Sequence, residues 1–509
     1  MTSQANRGER LVGGAASARG VTAAGVALAV VLAWALLPTS VTSPAGVQVT
    51  VVAVALTSAG LIGAVGMSQE LGLRTALARL KLGPWMGVGF AVGFGLATLV
   101  WLAGDIEGYQ GIVTASSLTP SALVCGVGFA TLALAYRWTP QVLRRCGSSF
   151  DRRLRGNGPL STGASVVWTL WAIAVLAQLI GAATSGLGYL ADPRAELSAS
   201  SSVGTVLTVF TSLGLLSSLL AAWRLAATRT AGAALLTVWV GGSQVVVGLF
   251  GGTKESAVIQ FVALVIGYSA RGKLRVIPIV ATGLITMFFV APFVTAYRAE
   301  IATSSGRLTP AQALQSIDYG SLLDNGKTSG SQAPGNQFIQ RLSRIGDVAM
   351  VVAQSPTPVP FASPTDLLAG PVLGFIPRSL WPEKPVLDAG YQANIVYYHA
   401  PPSVYSSAAL TPYGDLYRHG GVMVVIVGML LLGFFVRVID DRTGGRSASV
   451  DPRMLFLPML FFTTLVKQET DYLSLAASIV SIVAAAAIGV RLTSSGSLTS
   501  QEVGARGRP

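Results

Sequence analysis

Long runs of apolar residues, separated by shorter polar connections, alternate along most of this 509-residue chain. Many of these runs hold 17 or more mostly uncharged residues, about the length that an α-helix needs to cross the hydrocarbon core of a bilayer. The pattern therefore predicts an all-α polytopic membrane protein with about twelve transmembrane helices. The predicted helices are Val21–Leu37, Val47–Gly66, Trp85–Ala103, Ser121–Tyr136, Val166–Leu190, Val203–Trp223, Ala231–Phe250, Ser256–Ala270, Val276–Val294, Gly421–Val438, Met454–Val466 and Tyr472–Val490.

One polar connection, residues 295–420, is far longer than the others. Loops beyond about 12–15 residues are uncommon unless they carry structure or function of their own. Inside this segment, Gln337–Gln354 places apolar residues at three- and four-residue steps and is predicted as a helix. Nine predicted helices thus occupy residues 21–294 and three occupy residues 421–491. The Ser-, Gly- and Arg-rich ends, residues 1–20 and 492–509, are predicted to be disordered tails.

Composition and charge support this class and set its orientation. Only 11% of the residues are charged, against about 25% in ordinary globular domains. The net charge of +13 does not indicate nucleic-acid binding, because cytoplasmic loops of membrane proteins carry an excess of Lys and Arg. Most of the 35 basic residues fall on alternate connections. Twelve crossings then leave both termini cytoplasmic and the long segment outside the cytoplasmic membrane.

The long outer segment also holds both histidines of the chain, His399 and His419. Histidine is the side chain most often used to move protons near neutral pH, although a plain surface histidine is the simpler interpretation of either one. The acidic residues show no paired metal-binding spacing, and Cys125 and Cys146 form no CxxC motif, so neither a metal nor a cofactor is predicted. Arginines beside aromatics instead suit phosphate and sugar recognition.

Three short polar stretches lie elsewhere in the chain, and one of them is a candidate for chemistry. Gly251–Glu255 puts Lys254 and Glu255 between two apolar runs, as either a site or a simple tight turn. Lys467–Asp471 is interpreted as an ordinary external turn, and Asp440–Arg442 as a solvated cytoplasmic segment.

Two motifs of the outer segment carry a family resemblance. Ile376–Pro385 (IPRSLWPEKP) follows an apolar patch, and Gly414–Gly421 (GDLYRHGG) runs straight into an apolar helix. With the topology, these stretches resemble the bacterial oligosaccharide repeat-unit polymerases, the Wzy-type O-antigen and exopolysaccharide polymerases. The resemblance covers roughly residues 241–435. Upstream, the Gly251–Glu255 turn has lysine where the family often carries arginine, and lysine lacks the bidentate fork.

The resemblance implies a fold of the GT-C class and metal-independent glycosyl transfer from polyprenyl-diphosphate-linked oligosaccharides on the outer face of the membrane. It implies membrane lipids, a flippase and a chain-length regulator as candidate partners. Arg378 and Arg418 would stabilise the diphosphate leaving group, and His399 or His419 would be the base, with Asp415 and Glu383 as carboxylate alternatives. Further substrate-binding candidates are Arg298, Arg344, Lys384, Trp381 and Lys254.

Three alternatives stay open at this point. A glycan ligase, similar to the O-antigen ligases, shares the chemistry and topology but hands the polymer to another acceptor. A transporter of polysaccharide or lipid-linked sugar would place ionisable residues near the middle of the membrane, in two symmetric halves. A scaffold protein would not need arginines and aromatics gathered in one outer segment.

Overall fold

The computed structural model describes residues 43–68, 71–103, 109, 111–145, 163–184, 201–251, 254–270, 290, 293–294, 343–376, 381, 383, 388–402, 407–443 and 451–494. These residues form helices and connecting turns, with no strand among them. The first nine helices, in chain order, are α1 (Pro44–Ser68), α2 (Leu73–Ala78), α3 (Leu82–Phe90), α4 (Ala115–Arg137), α5 (Ala164–Thr184), α6 (Ser201–Thr211), α7 (Leu213–Thr228), α8 (Ala231–Phe250) and α9 (Lys254–Ser269). The others are α10 (Ile345–Gln354), α11 (Asp366–Phe375), α12 (Ala389–Val396), α13 (Pro412–Arg418), α14 (Gly421–Asp440), α15 (Pro452–Lys467) and α16 (Tyr472–Thr493).

Within the described residues, eight helices are long and apolar enough to cross a membrane. They include α1, α4, α5, α8, α14 and α16, the continuous stretch Leu82–Leu102 and the stretch Val206–Thr228. The prediction of an α-helical polytopic membrane protein is thereby confirmed. The predicted count of twelve is not, because Val21–Leu37 and most of Val276–Val294 lie outside the described residues. Residues 1–20 and 495–509 lie outside them as well.

The predicted eighth and eleventh crossings form α9 and α15, which have 16 residues each. At 1.5 Å per residue, each spans about 24 Å, short of the roughly 30 Å of hydrocarbon in a bilayer. The two helices meet at charged ends, where Lys467 Nζ lies 3.0 Å from Glu255 Oε2. Helix α9 thus begins, and α15 ends, at a common polar junction.

Helix α3 is interrupted halfway along the membrane-crossing stretch. It passes into a π-helical turn, Ala91–Gly95, and then a 3₁₀ helix, Leu96–Ala103. A π turn shifts the backbone hydrogen-bonding register, and here the Gly93 carbonyl accepts a 3.0 Å bond from the backbone N–H of Arg344. The predicted outer helix therefore docks on the interior of the bundle. The helix begins at Ile345, two residues into the described segment, and residues 337–342 lie outside the described residues.

Close backbone approach holds α1 against α3. A Cβ added to Gly60 would lie 2.6 Å from the Ala91 nitrogen, and one added to Gly87 would lie 2.7 Å from Ala64 Cβ. Small residues at a helix crossing allow this approach, which is the usual device for packing helices in membranes.

At the predicted cytoplasmic end, Asp440 is buried, contrary to the solvated segment that the sequence suggested. Its side chain accepts hydrogen bonds from the N–H groups of Leu82 (2.7 Å) and Gly83 (2.9 Å) and from the Tyr136 hydroxyl (2.9 Å). The acid thus lies at the N-terminus of α3, whose first N–H groups lack partners within the helix and whose dipole favours a negative charge. This contact joins α3, α4 and the end of α14.

Candidate functional site

The segment from Thr411 to Gly421 folds into the bundle rather than over its surface. The Thr411 side chain accepts a 3.1 Å bond from the Gly414 N–H, and Pro412 stands at the first turn, where its missing N–H costs nothing. Helix α13 follows and ends before Gly420 and Gly421, whose φ angles of 147° and 69° favour glycine. These two glycines turn the chain into α14.

Tyr413 anchors this short helix in the interior. Its ring packs edge-on against Phe90 and Phe94, with centroids 5.8 and 5.1 Å away, and Phe90 stacks on Phe129 at 4.3 Å. Its hydroxyl donates a 3.0 Å bond to Gln468 Oε1. The motif that sequence placed in an outer loop is therefore wedged between α3 and α4.

Asp415, on the same helix, is fully buried and surrounded by donors. Its Oδ1 accepts a 2.6 Å bond from Arg418 Nε, and its Oδ2 accepts bonds from the N–H groups of Tyr472 (2.8 Å) and Leu473 (3.2 Å). The last two belong to the N-terminus of α16, which favours negative charge. A guanidinium and a helix end together compensate the buried carboxylate.

Arg418 is held rigidly by this arrangement and remains 15% exposed at its side chain. Its Nε is engaged by Asp415, and among the described residues its two terminal nitrogens have no hydrogen-bond partner. Its carbonyl also accepts a 2.8 Å bond from the N–H of Ala362, just before α11. Asp415 thus fixes the Nε of the guanidinium, and the two terminal nitrogens can still donate to a ligand.

His419 is adjacent and 2% exposed. Its Nδ1 lies 2.7 Å from the Asp415 backbone carbonyl, and since a carbonyl can only accept, Nδ1 is the donor. In a neutral imidazole this arrangement leaves the lone pair on Nε2. His399, in contrast, is exposed, has a φ of 52° and follows α12. No contact joins it to Asp415, Arg418 or His419 within the described residues.

A second carboxylate stands close to Asp415. Asp471 caps α16, because its Oδ1 accepts a 2.7 Å bond from the Ser474 N–H. Burial, together with the negative charge of Asp415, raises the pKa of Asp471 above its ordinary value. The N-terminal end of α16 therefore gathers two acids around one arginine.

A second buried cluster is centred on Arg344, which is 8% exposed. Its guanidinium lies 2.8 Å from Glu469 and 3.7 Å from Asp347. Asp347 in turn accepts 3.1 Å bonds from the hydroxyls of Tyr109 and Tyr398. Burial raises the pKa of Asp347, although Arg344 and the two hydroxyls act in the opposite direction.

The two clusters flank the turn between α15 and α16. Glu469 belongs to one cluster, Asp471 to the other, and Lys467 pairs with both Glu255 and Glu469. Gln468, between them, has a φ of 52° and donates a 2.9 Å bond to the Met86 carbonyl. The interpretation of Lys467–Asp471 as an ordinary external turn is therefore wrong. Sequence spacing could not reveal it, since the residues that it contacts elsewhere in the chain, among them Glu255, Arg344 and Tyr413, lie 55 or more positions away.

The structure brings only some of the predicted site residues together. Asp415, Arg418 and His419 form one cluster, and Arg344 joins the adjacent one. Trp381 and Glu383 are exposed, and within the described residues neither makes a hydrogen bond or ion pair with either cluster. The remaining candidates lie outside the described residues: Arg298, Arg378, Lys384 and the side chain of Lys254. In the described part of the chain, no group of three or more His, Cys, Asp or Glu side chains is arranged to hold a metal.

Comparison with known proteins adds one match. Residues 195–444 match a family model described as a domain of unknown function, DUF8712. The match contains α10 to α14, and with them Arg344, Asp415, Arg418 and His419. It ends before the turn that carries Glu469 and Asp471. No curated protein and no solved structure matches the chain.

Proposed function

We propose that this protein is a membrane glycosyltransferase that polymerises polyprenyl-diphosphate-linked oligosaccharide repeat units on the outer face of the cytoplasmic membrane. The observation that carries the proposal is the Asp415–Arg418 pair at the N-terminus of α16. A guanidinium oriented by a fully buried carboxylate is a preorganised cation, and such groups stabilise charge that develops on a diphosphate leaving group. The 15% exposure of its side chain would let a substrate reach it from the lipid-facing or outer side.

The Arg344 cluster supports the same substrate chemistry. It places a second guanidinium on Glu469, in the turn between α15 and α16 and close to the junction where α9 begins and α15 ends. Because both helices span only about 24 Å, their outer ends would lie below the bilayer surface and leave a polar recess there. A diphosphate attached to a polyprenyl chain is an amphipathic substrate of the kind that such a recess could accept.

The acceptor hydroxyl needs a base within hydrogen-bonding reach. His419 suits this role, since its Nδ1 is engaged with a carbonyl and its Nε2 would accept the proton. We assign Asp415 to positioning Arg418, because its oxygens are already occupied by three donors. His399 and Glu383 remain alternatives for the base. Arg378, Lys384, Arg298 and Lys254 remain proposed contacts to the substrate, with Trp381 and its prolines shaping the turn that carries Arg378.

The test is a polymerisation assay in membranes that contain the full chain and lipid-linked repeat units. Arg418→Ala should lower the rate by about 10²–10³, as expected for loss of one preorganised charge donor. Arg418→Lys should recover only part of it, because lysine lacks the planar fork. Arg144→Ala is the matched control, since Arg144 pairs with Asp441 at 2.6 Å outside both clusters.

The products separate the alternatives. Repeat units that lengthen on polyprenyl diphosphate support the polymerase. Transfer of glycan to a different acceptor supports a ligase that uses the same site. Movement of the lipid-linked unit across the membrane without new glycosidic bonds supports a transporter. Full polymerisation by a correctly inserted Arg418→Ala variant refutes the assigned role of this arginine.

A further inference from the structure

A groove unrelated to the two charged clusters lies between α5, α7 and α8, near the predicted cytoplasmic ends of these helices. Its volume is about 660 Å³, within the roughly 300–1,000 Å³ typical of ligand pockets. Trp168 of α5 forms one wall, Leu235 and Trp239 of α8 form another, and Arg224 of α7 lies at the end near the α7–α8 turn. The groove thus combines a long apolar wall with one cationic end.

The apolar wall faces outward. Leu235 is 70% exposed, Trp239 54% and Trp168 40%, although α5 and α8 are both candidate membrane-crossing helices. Trp168 packs edge-on against Trp171 with centroids 5.3 Å apart, and Trp171 donates a 2.8 Å bond to Ser243 of α8. The tryptophan wall is therefore held in place by contacts between the two helices. Tryptophans at this position are typical of membrane–water interfaces.

The polar end of the groove favours an anion. Arg224 shares it with the N-terminus of α8, where the Thr230 side chain caps the Ala233 N–H at 3.3 Å. The helix dipole adds partial positive charge to that of the guanidinium. No acidic side chain is among the described residues that line the groove. Within that lining, a zwitterionic head group would thus find no carboxylate for its positive charge.

We propose that this groove binds one anionic phospholipid from the surrounding bilayer. Its phosphate would contact Arg224 and the N-terminus of α8, and an acyl chain would lie along Trp168, Leu235 and Trp239. Arginine is well suited to phosphate because its planar fork donates two parallel hydrogen bonds. This inference does not depend on the proposed glycosyl transfer, since the groove shares no residue with the two charged clusters.

The glycines of α8 allow a clean test. A Cβ at Gly232, in the groove, would meet no atom within 4 Å, and the same is true of Gly242, ten positions further along the helix and outside the groove. Gly232→Leu should therefore fill the groove without a clash, whereas Gly242→Leu makes the same chemical change elsewhere. Arg224→Gln removes the cation, and Arg229→Gln removes an exposed one that does not line the groove.

The experiment is native mass spectrometry of the full chain, purified in detergent and titrated with phosphatidylglycerol or phosphatidylcholine. We expect the wild type to retain one phosphatidylglycerol in preference to phosphatidylcholine. Arg224→Gln should weaken this binding about tenfold, as for loss of a charge-assisted bond, and Gly232→Leu should weaken it similarly. Arg229→Gln and Gly242→Leu should bind as the wild type does.

Two outcomes would overturn the proposal. Equal retention of the two lipids would show that the groove does not select an anion. Wild-type binding of phosphatidylglycerol by both Arg224→Gln and Gly232→Leu would place any bound lipid elsewhere. Circular dichroism and the melting temperature of each variant check folding, so that a loss of binding is not mistaken for unfolding.

Discussion

Replacing Asp415 by Asn tests whether a buried charge pair organises the site. The substitution keeps the shape of the side chain but replaces one acceptor oxygen by an NH₂ group. In the wild type, one oxygen faces Arg418 and the other faces two backbone N–H groups of α16. Either orientation of the amide therefore points a donor at a donor. The Arg418 guanidinium, only 15% exposed, also loses its countercharge.

Breaking one partner of a buried ion pair costs about 3–5 kcal/mol, because the remaining charge stays desolvated. The partial exposure of Arg418 favours the lower end of this range. Arg418→Gln removes the other charge and leaves the buried carboxylate to the helix N-terminus. Since the two side chains are in direct contact, the double variant should cost less than the sum of the single ones, with a coupling of about 1–3 kcal/mol.

The assay is reversible unfolding in mixed micelles, followed by tryptophan fluorescence, for the wild type, both single variants and the double variant. Strictly additive free energies of unfolding would refute the pairing of Asp415 with Arg418. A loss below about 1 kcal/mol in Asp415→Asn would refute its burial among three donors, because that cost is typical of surface ion pairs. The rate of polymerisation should fall by about 10²–10³ in each variant, also under conditions in which that variant is folded.

Three further predictions follow from the described contacts. The pKa of Asp471 is raised, so the stability that its protonated form contributes is fully present below the ordinary carboxyl pKa and is lost as the pH rises through the raised value. Asp471→Asn cannot ionise and therefore does not show this loss. The melting temperature of the variant should exceed that of the wild type by a margin that grows toward neutral pH. Gly87→Val should lower the melting temperature strongly because a Cβ there would clash with α1, whereas Gly66→Val, with open space around it, should have little effect. Asp440→Ala should destabilise the fold by about 2–3 kcal/mol in denaturation curves, because three donors would lose their acceptor; unchanged curves would contradict its role at the start of α3.

The sequence was sufficient for the membrane class and for most helix positions. The predicted Ala231–Phe250 agrees with α8 at both ends, and Gly421–Val438 and Tyr472–Val490 differ from α14 and α16 by a few residues. The grouping of Asp415, Arg418 and His419 was also accessible, since residues three and four positions apart share one face of a helix. Whether these groups are catalytic stays a prediction.

What tertiary structure alone decided is where the charges lie and which ones meet. Apolar length is a local property of the chain, because each helix satisfies its own backbone hydrogen bonds in lipid. The burial of Asp440 depends instead on the N-terminus of α3, and the pairing of Arg344 with Glu469 depends on where α15 ends. These contacts join residues more than 100 positions apart, and their energies depend on desolvation by neighbouring helices. Sequence therefore determined that the chain spans a membrane, and packing determined which of its polar groups form a site.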